Sequence, residues 1–150
     1  MANNNFLTIF CLVLTILLAI IQVTAISSFG IKPNLALIGL IISAVFINSF
    51  WLFLCLTAVI AFILKFQPGF DLQIMVFLLI ALIIYLLIKY SSWQPFLSIN
   101  VFVLIFTATF YLLTSSELIF SSIFLKELVY NVIIANFILM LLWPKTKKST

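Results

Sequence analysis

The chain has 150 residues, of which 67% are hydrophobic and only 7% charged. Soluble domains carry roughly 25% charged residues, so a water-soluble globular fold is excluded. Alternating polar and apolar strand patterns are missing too, which excludes a membrane β-barrel.

Charge acts as punctuation. Lys32, Lys65, Asp71, Lys89, Glu117, Lys126, Glu127, Lys145, Lys147 and Lys148 make up the full set, and nearly all flank apolar runs. A charge at the centre of a membrane helix costs about 2.5–3.5 kcal/mol on insertion scales, which drives charges to the boundaries. The expectation is an all-α integral membrane protein: one bundle of about six transmembrane helices with a basic tail over residues 144–150.

Segment one covers residues 6–26. As a helix it would be ~31 Å long, enough to cross a hydrocarbon core of about 30 Å. Its amino end lacks Lys and Arg, and Val23-Thr24-Ala25 is a poor cleavage site, so it reads as an uncleaved span rather than a signal peptide. Thr8, Cys11, Thr15, Ala19 and Gln22 fall on one narrow arc and predict a helix-packing stripe. Gln22 lies near the helix end, within reach of the interface. Cys11 and Cys55 read as small buried residues rather than a disulfide or metal pair.

Segments two (35–47) and three (50–66) are separated by Asn48-Ser49. A continuous helix here would be ~48 Å, too long for the bilayer core. Two short helices with a tight turn are expected, a single kinked, tilted helix being the alternative. Gly39 and Ser43 form a small-xxx-small pair that permits close backbone approach. Pro68-Gly69 marks the next loop, and Asp71 suits the opening of segment four (71–90), which ends beside Lys89. Trp93 lies in the following loop as an interfacial anchor.

Segment five (96–113) carries Asn100, Thr107 and Tyr111, with Thr114 just beyond, again on one arc. Ser115 or Ser116 is expected to cap the next helical piece. Residues 118–125 read as a short amphipathic piece ahead of a sixth span over 127–143, which Trp143-Pro144 would end. On that span Glu127 and Asn131 share one face, and Lys126 and Tyr130 the neighbouring one. Glu127 is expected at the helix amino terminus, favoured by the dipole, with Lys126 snorkelling. A partner-docking or ion-pair site is the functional alternative. Six spans put both termini on one side, and the basic tail makes that side cytoplasmic.

Catalytic patterns are lacking. Without His, triads and His-containing metal clusters are excluded, and the three glycines are too scattered for a phosphate-cradling loop. The tail, lacking Arg and aromatic platforms, reads as a topology anchor rather than a nucleic-acid site. A protein that is not an enzyme and takes no cofactor is expected.

Two short motifs carry a resemblance. Ile21-Gln22-Val23-Thr24, then Phe29-Gly30-Ile31-Lys32-Pro33-Asn34-Leu35-Ala36-Leu37-Ile38, resembles the start of the MreD family of bacterial rod shape-determining membrane proteins. Glu127-Leu128-Val129-Tyr130-Asn131 resembles the Leu-Tyr-Asn signature before that family's last helix. Length, short loops and the basic tail are similar as well. The chain departs from the pattern at Ala61-Phe62-Ile63-Leu64-Lys65, where family members carry a Gly-rich stretch ending in Asp.

The resemblance implies a bacterial cytoplasmic-membrane scaffold of the cell-elongation machinery, paired with an MreC-like membrane protein and linking the cytoskeleton to peptidoglycan synthesis. It implies a fold like that of the substrate-binding S-components of energy-coupling-factor vitamin transporters. Gln22, Lys32, Pro33, Asn34, Tyr130 and Asn131 would be fold-defining or partner-facing, with Glu127 beside them. An S-component-like vitamin-binding subunit is the second reading; it calls for a polar, outward-opening cavity and a first-helix Ala-x-x-x-Ala motif, which is absent. A small channel or transporter, the third, would need ionisable residues at mid-membrane.

Overall fold

The computed structural model describes residues 2–24, 33–64, 72–90 and 94–146, and all regular structure among them is helical. The helices are α1 (Ala2–Thr24), α2 (Leu35–Phe46), α3 (Phe50–Leu64), α4 (Leu72–Tyr90), α5 (Pro95–Thr114) and α6 (Ser122–Thr146), with a short 3-10 turn at Ser116–Leu118. Four of them, α1, α4, α5 and α6, are long and apolar enough to cross a membrane, while α2 and α3 are shorter apolar helices. The protein is an all-helical bundle suited to a bilayer. Asp71 and Trp93 lie outside the described residues.

Local chemistry sets the boundaries. Asn34 caps α2 by accepting from the Leu37 N–H at 3.1 Å, replacing a partner that the first turn lacks. The far end of α2 stops at Ile47, whose backbone is extended (φ −88°, ψ 117°), and Ser49 Oγ accepts from Leu52 N–H at 3.4 Å as α3 begins. Residues 35–64 are therefore two helices, not one kinked rod. Pro95 stands in the first turn of α5, where its missing N–H costs no helix bond.

Several expectations at the chain's two ends are corrected. Helix α1 begins at Ala2, ahead of the apolar run that opens at residue 6. The anticipated split at Lys126-Glu127 does not occur, and α6 runs unbroken from Ser122 to Thr146. Ser115 takes the N-cap position of the 3-10 turn that follows α5, without a side-chain cap bond, while α6 is capped by Ser121, whose Oγ accepts from Phe124 N–H at 3.2 Å. No helix breaker lies between Ser122 and Trp143. Lys126 points outward and Glu127 finds a partner inside, so neither charge interrupts the helix. Pro144 falls in the last turn, and α6 continues past it to Thr146.

Helix α2 is the axis of the bundle. Its residues from Leu35 to Ala44 are all buried, with α1, α4, α5 and α6 packed around it. Helix α1 approaches most closely because small residues meet there. A Cβ on Gly39 would lie 2.7 Å from Thr15 Cγ2 and 3.2 Å from Thr15 Cα, so only glycine fits. Thr15 Oγ1 lies 2.7 Å from Ser43 Oγ and donates to the backbone oxygens of Cys11 and Gly39. With Cys11 and Ala19 also fully buried, the middle of the α1 stripe faces α2; Thr8 is only half-buried.

The outer surfaces are apolar and exposed, among them Ile9, Val13 and Leu17 on α1 and Phe137, Met140 and Leu141 on α6. Such faces suit lipid contact. Cys55 is exposed on the outside of α3, contrary to the expectation that it is buried, whereas Cys11 is buried.

Candidate functional site

A polar recess of about 270 Å³ lies at one end of the bundle, lined by Gln22, Asn34, Gln73, Tyr111, Thr114, Ser115 and Glu127, with Phe110 and Leu118 as its apolar wall. A smaller one of about 160 Å³ shares Gln22, Asn34, Gln73 and Phe110 and reaches Leu64. The closing ends of α1, α3 and α5 and the opening ends of α2, α4 and α6 thus meet here. Successive helices alternate in direction, and the start of α1 and the end of α6 share the opposite end.

The amino end of α2 organises the recess. An isolated helix start leaves its first N–H groups unpaired. Here each finds a protein acceptor. Asn34 N–H donates to Asn131 Oδ1 at 3.0 Å. Leu35 N–H donates to Pro33 O at 2.9 Å. Ala36 N–H donates to Gln22 Oε1 at 2.7 Å, and Leu37 N–H to Asn34 Oδ1. Gln22 therefore does not turn out to the interface; it ties α1 to the start of α2. Asn131, fully buried on α6, also donates to Thr107 Oγ1 on α5 at 3.2 Å. One amide side chain so joins α2, α5 and α6.

The two motifs, 97 residues apart, converge at this node. Gln22, Asn34 and Asn131 form it, and Pro33 accepts beside it. Tyr130 is not drawn in; it is 39% exposed, on the outer face of α6 next to exposed Lys126. Lys32 lies outside the described residues.

Glu127 departs from the expected helix-end role. Helix α6 starts five positions earlier, at Ser122, and Glu127 is buried, only 8% exposed as a residue. Tyr111 on α5 donates its hydroxyl hydrogen to Glu127 Oε2, and Asn131, one turn on, approaches the same carboxyl. Deeper along the α5–α6 seam, Asn100 and Asn136 exchange side-chain hydrogen bonds at 3.0 and 2.9 Å. Every polar residue of the α5 stripe up to Tyr111 thus finds its partner on α6.

Asn136, Gln73 and the contact of Asn48 with Tyr85 and Lys89 stand outside the stripes and motifs of the sequence analysis. Asn136 is a lone amide within an apolar span, a signal that by itself marks helix–helix contact. Gln73 sits one residue into α4, where sequence gives no sign of a shared recess. At the opposite end, Tyr85 donates to Asn48 O at 2.7 Å and Lys89 to Asn48 Oδ1 at 3.0 Å; nothing in the sequence links these positions.

Among the described residues no group of three His, Cys, Asp or Glu could hold a metal ion, and no buried side-chain nitrogen or oxygen lacks a partner. The recess can bind through hydrogen bonds and one carboxyl group. Comparison with protein-family models, curated proteins and solved structures finds no match for the chain.

Proposed function

We propose that this protein is a non-enzymatic scaffold in the bacterial cytoplasmic membrane, acting in the cell-elongation machinery through helix-mediated association with an MreC-like membrane protein. All six helices lie in the bilayer in this reading. The basic tail puts both termini in the cytoplasm, so the recess opens on the other face.

The observation that supports it is the junction of Asn34 with Asn131. The two stretches with family-like sequence are far apart in the chain, yet they meet through hydrogen bonds that fix where α2 enters the bundle. Residues of this kind serve architecture, as a scaffold requires, rather than a reaction. Tyr130 and Lys126, exposed just outside the node, offer a surface for a partner helix.

Purification of the tagged chain in mild detergent from a rod-shaped bacterium tests this. An MreC-like protein should be recovered at near-equal amounts. Its absence, together with tight binding of a small vitamin, would overturn the proposal in favour of the S-component-like reading. The polar recess at the end opposite the termini is what favours that second reading.

A further inference from the structure

We propose that the recess bounded by Glu127, Tyr111 and Phe110 is a binding site for a small organic ammonium ion. The recess is the one that the S-component-like reading would use, but the proposal concerns its ligand and is tested without any protein partner.

The recess has little to offer an anion. A helix amino terminus usually draws anions, because its N–H groups lack partners. At α2 those groups are consumed: Asn34, Leu35, Ala36 and Leu37 each donate to a protein oxygen. An anion gains nothing from this end of α2. Glu127 supplies the opposite preference. Glu127 lines the recess, yet the residue as a whole is buried, with 8% of its surface exposed. A bound cation offsets the several kcal/mol that an ionised carboxylate costs in such a setting, a cost that the neutral acid avoids by keeping its proton. Tyr111, its hydrogen-bond partner, and Asn131 beside it are both neutral. The lining adds the hydroxyls of Thr114 and Ser115 for further ammonium hydrogens.

Size and wall chemistry narrow the class. At about 270 Å³ the recess has room for a molecule of a few carbons. Phe110, Tyr111 and Leu118 supply apolar and aromatic surface, which suits a short hydrocarbon body and a cation beside ring faces. A bare inorganic cation would leave that wall unused.

Isothermal titration of the full chain in lipid nanodiscs tests the site, with empty nanodiscs subtracted. The probes are n-butylamine, its neutral analogue 1-butanol and the anion butyrate. Saturable binding of the amine alone is expected, weakened at least tenfold in Glu127→Gln, which keeps an acceptor for Tyr111. Leu118→Trp, on the exposed 3-10 turn, leaves Glu127 untouched and fills the mouth of the recess; it should weaken the amine similarly. No saturable amine binding, equal binding of butanol or butyrate, or amine binding unchanged in both variants would each overturn the proposal. So would binding that emerges only after Lys32→Met, since the protein would then supply its own cation.

Discussion

Helices α2 and α3 are both short, strongly apolar and adjacent in sequence, yet the bundle treats them in opposite ways. Helix α2 buries every residue from Leu35 to Ala44. Helix α3 buries one face, through Phe53, Leu56, Thr57, Ile60 and Ala61, and leaves Trp51 and Phe62 72% and 84% exposed. Hydropathy cannot sort them, because lipid is as apolar as the protein interior. What differs is fit and polar satisfaction. Helix α2 has Gly39 and Ser43 to admit Thr15 and an amino end with all its donors paired. Helix α3 offers bulky side chains outward and polar contacts mainly at its start, around Asn48 and Ser49. In a membrane bundle, small and amide residues mark the central helix better than apolar ones do.

That contrast can be broken from the α2 side, with unfolding followed by SDS titration in mixed micelles. Gly39→Leu should have the largest effect. It forces a side chain onto Thr15 and should cost about 3 kcal/mol or prevent folding, in the range for overpacked cores. Asn131→Ala comes next: it strands the buried Asn34 N–H and frees Thr107, for a loss of about 1–3 kcal/mol. Ser43→Ala removes the short contact with Thr15 and a long one to Cys11 O while Thr15 keeps Cys11 and Gly39 as acceptors, so a loss near ~0.6 kcal/mol is expected. On α3, Phe62→Leu should stay within about ±0.5 kcal/mol, as for surface sites without special contacts. A larger effect at Phe62 than at Ser43 would reverse the assigned roles of the two helices.

Much of this architecture can be read from sequence, but only one face at a time. Thr15 stands out in the small-residue arc of its helix, and Gly39 and Ser43 as a close-approach pair. Their contact with each other is set by the tertiary fold, which no local period reveals. The same holds for Tyr111 and Glu127, conspicuous separately on two helices and joined only once α5 and α6 run antiparallel. Glu127 shows how a local rule misleads. A charge pair in an apolar run usually marks a helix end. Here Tyr111 satisfies the carboxyl, and the helix continues through it. Cys55 fails in the other direction: small apolar residues favour burial in water, but in a bilayer they can equally face lipid. Asn136 is within reach of sequence reasoning, since an isolated amide in a span calls for a partner.

Helix α2 is pinned into the bundle by Asn131 and Gln22 acting on separate backbone amides, and the whole account turns on that. Residue-resolved amide hydrogen exchange in nanodiscs tests it most directly. In the unmodified protein the Asn34 and Ala36 amides should both be protected. Asn131→Ala should speed exchange at Asn34 while Ala36 stays slow, and Gln22→Ala should do the reverse. Rapid exchange at Asn34 in the unmodified protein, or protection there that survives Asn131→Ala, would contradict the account.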